Sequence, residues 1–214
     1  MKNKLILFDW GNIVESHTTG YTCYDAFNDL FRSCGYSGNK NIFTSLGKYK
    51  LSIIPTVNDF EIVYNKIANE YNFKTTYKEF IKSYKEIFDK IDYYKDVSEY
   101  EKSLKDKCYI GILSNLTVFD KERLNKQVDL SQYDYVFLSF ELGCRKPDKE
   151  IYIKVSDQIP FNSKDILFID DRQDNIDMAR EFGWNVFKTT GLELEKIKEC
   201  CENFIKGVDP NEWK

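Results

Sequence analysis

Four apolar runs in this sequence stop on, or run into, side chains able to do chemistry. LILFD (5–9) ends in Asp9, CYIGILSN (108–115) in Ser114 and Asn115, and DILFIDD (165–171) in Asp170 and Asp171. YVFLSF (135–140) leads into ELGCRKPD, which sets Lys146 directly before Pro147. A carboxylate can act as a nucleophile, paired carboxylates can hold a hard cation, and a lysine and a hydroxyl can bind an anion. Each also has a plain structural reading. Ser114 and Asn115 could cap a helix, Asp170 and Asp171 could favour a helix start, and Lys146 could be a solvated loop charge. Four strand ends supplying complementary groups at once are not coincidence. Together they make a site for a phosphate-type anion.

The elements that must position these groups are legible in the same runs. The four apolar runs read as buried strands, and NVFKTT (185–190) as a fifth, weaker one. Helical patterns lie between them, at 118–128, 149–159 and 174–183, with 193–208 closing the chain. Continuous apolar strands alternating with amphipathic helices predict an α/β fold, a doubly wound, Rossmann-like parallel sheet covered on both faces. Such sheets bind ligands beyond the carboxyl ends of their strands, which is where the chemistry-bearing residues fall.

Residues 16–85 break the rhythm. They hold no buried strand, but YDAFNDLFRSCG, NDFEIVYNKIANEYN and TYKEFIKSYKEIF have helical spacing, the second beginning at Asn58 or Asp59. Loop signals fall at residues 37–41 and in IIPTVND. A small helical domain (16–85) is therefore expected as an insertion in a core made of 1–15 and 86–214. Its aromatics, Phe27, Phe31, Tyr64, Tyr71, Phe80 and Tyr84, read as core stripes. Trp10 reads as packing on the sheet or the insertion.

Composition bounds the partners. There are 31 basic and 35 acidic residues, a formal charge of −4, which argues against a nucleic-acid footprint or an anionic membrane surface. No apolar stretch approaches the roughly 20 residues of a membrane span. The start, MKNKLILFDW, reads as a buried strand and not a signal peptide. Six cysteines without a C-x-x-C pair, and one histidine, do not make a zinc site. They read as free thiols in a reducing cytoplasm.

In order and in strand context, FDWGN, LSN, RKPD and FIDDRQDN resemble the motifs of the haloacid dehalogenase-like (HAD) hydrolase superfamily, over nearly the whole chain. The insertion is similar to the small helical cap of one branch, and the wording of the motifs resembles bacterial phosphatases of sugar phosphates such as glucose 1-phosphate. The resemblance implies that Asp9 is a nucleophile forming an aspartyl-phosphate. It implies Mg2+ on Asp9, Asp171 and the Gly11 carbonyl, supported by Asp170. Ser114, Asn115 and Lys146 would bind the phosphate, and Asn175 would orient Asp171 or Lys146.

Gly11 departs from the pattern, because most phosphatases of the superfamily carry an aspartate there that protonates the leaving oxygen. General acid–base help is worth about 10²–10⁴-fold. Esters with good leaving groups, such as anomeric sugar phosphates, need it less. His17 or Glu15, just downstream, could replace it. The expected protein is thus a cytoplasmic, magnesium-dependent phosphatase of small phosphate esters. The alternatives are a metal-free dehalogenase, disfavoured by the Asp170–Asp171 pair, and a non-catalytic phosphate-ester binder, disfavoured by the intact Asp9 and Lys146. The sequence is silent on oligomeric state.

Overall fold

The apolar runs form one five-stranded parallel sheet in the order β3-β2-β1-β4-β5. Its strands are β1 (Leu5–Phe8), β2 (Tyr109–Ser114), β3 (Tyr135–Leu138), β4 (Ile166–Asp170) and β5 (Asn185–Lys188). The computed structural model describes residues 2–15, 21–38 and 45–209. Alternate strand residues feed two separate cores. Ile6, Phe8, Ile110, Ile112, Leu167 and Ile169 pack on one face, and Leu5, Leu7, Leu113, Ile166 and Phe168 on the other. Burial on both faces is what makes these strands continuously apolar rather than alternating. Trp10 is buried in the first of these cores.

Nine helices are described: α1 (Cys23–Ser33), α2 (Val57–Tyr71), α3 (Tyr77–Phe88), α4 (Lys95–Ser103), α5 (Asp120–Gln127), α6 (Ser139–Leu142), α7 (Lys149–Gln158), α8 (Gln173–Glu181) and α9 (Leu194–Lys206). Two expectations need correction. The third strand stops at Leu138, because Ser139 opens a helical turn in which its Oγ accepts from Leu116 N (3.0 Å). Helix α2 begins before Asn58, because Thr56 caps it and accepts from Asp59 N at 3.1 Å. Helix α4 had no clear signal; its buried residues are only Val97 and Glu101.

A third apolar cluster stands apart from the sheet. Helices α1, α2 and α3 build it around Leu30, Phe31, Phe60, Tyr64, Phe80 and Tyr84. Capping boxes at Thr22 with Asp25 and at Thr76 with Glu79 fix the starts of α1 and α3. The aromatic stripe is a core, as its spacing predicts, though three of its members also do something else, described below.

Candidate active site

Strand register assembles the site. Phe8 pairs with Ile169, so Asp9 lies level with Asp170, and Asp9 N extends the ladder to Ile169 O at 2.9 Å. On the other side Phe8 pairs with Ile112, which brings Ser114 past the same edge. The site therefore sits where the strand order reverses about central β1.

Three donors converge on one oxygen of Asp9. Its Oδ1 accepts from Trp10 N at 2.7 Å and Ser114 Oγ at 2.7 Å, and lies 3.0 Å from Lys146 Nζ. Among the described residues none donates to Oδ2. Lys146 is 1 % exposed and reaches Asp170 Oδ2 at 2.6 Å as well, with its ammonium 5.0 Å from the centre of the Phe168 ring. Burial opposes its charge, but Asp170 and Asp9 outweigh burial and hold its pKa above the ordinary lysine value. Asp170, fully buried, has its pKa pushed up by burial, which Lys146 opposes and Asp9 reinforces. Asp171 is half-buried; burial raises its pKa against the hydrogen bond from Asn12 Nδ2 to its Oδ2 (3.0 Å). One carboxylate oxygen from each of Asp9, Asp170 and Asp171 lies within 4.8 Å of the others.

Three of the expected site residues have partners within the chain. The Ser114 hydroxyl donates to Asp9 Oδ1. Asn115 uses both ends of its amide on the Lys146 main chain, Nδ2 to the carbonyl at 2.8 Å and Oδ1 from the N–H at 2.9 Å. Asn175 Nδ2 holds both oxygens of Asp170, at 3.0 Å each, and not Asp171 or Lys146. These contacts fix the positions of Asp9, Lys146 and Asp170.

The turn after β1 is pinned from outside. Asn12, at φ +60°, gives its carbonyl to Gly191 N at 2.9 Å. A side chain at Gly191 would lie 2.3 Å from the Ile13 carbonyl, so only glycine permits that approach. At Gly11 a Cβ would meet nothing within 4 Å, so the missing aspartate is not excluded by crowding. Glu15, offered by sequence as an acid or base, is buried and ion-paired with Arg123 of α5. Burial raises its pKa and Arg123 opposes the rise. His17 lies outside the described residues.

Sequence reasoning missed a buried polar network next to Glu15. Arg123 Nη2 also meets Asp120 Oδ1 at 2.9 Å, and Asp120 accepts from Thr117 N, Thr117 Oγ1 and Tyr84 OH within 2.8 Å. It joins α3 to the loop after β2. No local pattern in the sequence marks it, because Glu15 lies 108 positions from Arg123. Asn12 was in view within FDWGN but carried no assigned role.

The site opens on one cavity of about 620 Å³. Asp9, Gly11, Ser114, Lys146 and Asp171 form one end, and Phe27, Phe31 and Phe88 line the other part. Cys23, Phe27 and Phe31 recur every fourth residue, so one face of α1 is presented to the cavity. The six cysteines are all free thiols, and no described helix is long and apolar enough to cross a membrane.

Comparison with known proteins agrees with this geometry. The chain is 32% identical over 100 residues to a D-ribitol-5-phosphate phosphatase of Bacteroides thetaiotaomicron, covering 42% of this chain and 47% of that protein. It is 36% identical over 72 residues to drimenol cyclase drtB of Aspergillus calidoustus, covering 33% of this chain and 14% of that protein. Each match thus spans less than half of the curated relative. A HAD family enzyme of Bacteroides thetaiotaomicron, solved in complex with magnesium and inorganic phosphate, superimposes with a TM-score of 0.65 at 20% identity, over 89% of this chain and 96% of that one. The haloacid dehalogenase-like hydrolase family model matches residues 8–189, from the first strand to the end of the fifth, and the chain belongs to that family.

Proposed function

We propose that the protein is a magnesium-dependent phosphatase that hydrolyses small phosphate monoesters, sugar phosphates among them, through a phosphorylated Asp9. The asymmetry of the Asp9 carboxylate carries this reading: three donors hold Oδ1, and Oδ2 has none among the described residues. One oxygen is fixed, so the other is oriented to attack phosphorus. Ser114 and Trp10 N–H orient the nucleophile. Lys146, placed by Asn115 and anchored on Asp170, balances charge on the phosphate as the ester oxygen leaves.

The acids of the site fit a hard cation. Asp9 and Asp171, with the Gly11 carbonyl, would hold magnesium, and Asp170 would support them. Bound there, the ion supplies charge neutralisation to the phosphate oxygens. Three carboxylates against one lysine would otherwise leave an excess of negative charge, which speaks against a metal-free dehalogenase. The relative that acts on D-ribitol 5-phosphate supports a sugar- or polyol-phosphate substrate. Gly11 favours esters whose leaving oxygen needs little protonation. Residues 16–85 would act as a cap that excludes water, and 1–15 with 86–214 as the catalytic core. Free, mostly buried thiols support a cytoplasmic location.

The test is phosphate release from p-nitrophenyl phosphate and a panel of sugar phosphates, with magnesium, with chelator, and with Asp9→Asn. Release that needs both magnesium and Asp9 is the expected result. No release from any ester would overturn the proposal; halide release would then be assayed, and binding without turnover would indicate the non-catalytic alternative.

A further inference from the structure

Among the described residues, five cationic side chains line the cavity: Lys50, Arg123, Arg145, Lys146 and Arg172. Three are occupied by acids of the chain itself. Lys146 lies between Asp9 and Asp170, Arg123 between Glu15 and Asp120, and Arg172 meets Asp174 at 2.6 Å. The side chains of Lys50 and Arg145 have no ion-pair partner among the described residues.

Both are nonetheless carried on fixed backbone. Lys50 is held in the left-handed region (φ 46°, ψ 51°), where its N–H donates to Gly47 O at 3.2 Å and its carbonyl accepts from Ile53 N at 3.0 Å. A lysine kept in that conformation is uncommon, and such conformations gather at ligand-binding sites. Ser139 Oγ donates to Ser52 O at 2.6 Å and docks this loop on α6. Helix α6 ends at Leu142 with Gly143 as its left-handed cap, and Cys144 leads on to Arg145, whose carbonyl accepts from Asp148 N at 2.8 Å. Two neighbouring loops thus bring two uncompensated cations to a cavity whose phosphate end already has its own lysine.

We propose that the leaving group of the ester carries a second anion, a carboxylate or a further phosphate, held by Lys50 and Arg145. This rests on the phosphatase reading of the same cavity and narrows its substrate class. The cationic pair would recognise the far end of the molecule while Lys146 serves the transferring phosphate.

The experiment compares kcat/KM for glucose 6-phosphate, 6-phosphogluconate and glucose 1,6-bisphosphate. A charge-assisted contact makes the favoured anionic ester at least about tenfold better than glucose 6-phosphate. Whether the carboxylate or the bisphosphate gains more identifies the anion. Lys50→Met and Arg145→Met should each move that ratio toward one, and Lys50→Arg should preserve it. A wild-type ratio near one, or a ratio that neither substitution moves, overturns the proposal. Turnover of p-nitrophenyl phosphate reports separately on the phosphatase reading. If that ester is not hydrolysed, the same ratio is read from calorimetric Kd values on Asp9→Asn with magnesium, and the same two outcomes decide.

Discussion

The two walls of the cavity are built on different principles. At the strand ends, polar atoms are fixed by partners mostly within 3.0 Å, drawn from neighbouring strand ends, the segment after α6 and the start of α8. On the opposite wall Phe27, Phe31 and Phe88 meet through ring contacts, such as the 4.9 Å edge contact of Phe27 with Phe88. Hydrogen bonds specify position sharply, whereas aromatic packing tolerates change in shape. The first wall suits chemistry that must be placed to a fraction of an ångström. The second suits selection among ligands and can vary without moving Asp9.

The largest effect expected from this contrast is at Lys146. Lys146→Met would leave Asp9 and Asp170 buried together without a counter-charge, a loss of roughly 3–5 kcal/mol for a broken buried pair. Urea unfolding without metal should show it, and phosphate release should fall to background. Added magnesium should recover part of the stability, since it supplies charge to the same carboxylates. Recovery of activity by the metal alone would break the assignment of Lys146.

Gly11 tests the same wall by addition. Because a Cβ there meets nothing within 4 Å, Gly11→Asp should be accommodated. An acid at that position should raise kcat for alkyl phosphates by up to about 10²–10⁴-fold. It should do much less for p-nitrophenyl phosphate, whose leaving group needs no proton. Equal gains for both esters would mean that the glycine is not the reason for weak leaving-group protonation.

The contrast also explains what the sequence disclosed. All five strands and the residues at their ends were legible, because burial on both faces and a sudden change to polar side chains leave a local mark. Asp9, Ser114, Asp170 and Asp171 stand out that way, and Lys146 stands out in the segment after the third run. What each polar atom touches was not legible. Whether the Ser114 hydroxyl turns to Asp9 depends on packing between strands 105 positions apart in the chain, and whether Asn175 turns to Asp170 depends on how α8 leaves β4. The Glu15–Arg123–Asp120 network joins residues 108 positions apart, and neither end has a local signature. Helix α4 escaped notice because one of its two buried residues is a glutamate, which reads as solvent-facing.

The join between the two walls is expected to matter less. Tyr84 stacks on Phe88 at 4.1 Å and sends its hydroxyl to Asp120 at 2.8 Å, so one residue belongs to both regimes. Tyr84→Phe keeps the stack and removes the hydrogen bond, at a cost of about 1–3 kcal/mol. Thermal unfolding should shift down while kcat changes little. A collapse of kcat would mean that the network sets the nucleophile as well as the aromatic wall.

Two buried carboxylates in the core extend the comparison to a group with no part in the site. Asp170 has Lys146 for a partner, whereas among the described residues Glu101 has only the Tyr133 hydroxyl, at 2.5 Å on Oε2, and none on Oε1. Burial pushes the Glu101 pKa up from 4.5 to about 8, so the native protein keeps a proton there that the unfolded chain releases at lower pH. The native state therefore binds more protons between those values. The contribution of Glu101 to folding is full below about pH 4.5 and is lost as pH rises through about 8. Glu101→Gln has no such dependence. Its stability relative to wild type should rise between pH 5 and 8 by up to about 1.4 kcal/mol per pH unit, read from urea unfolding at each pH. A constant difference across that range would mean that Glu101 is ionised in the folded protein and that its burial is compensated as fully as that of Asp170.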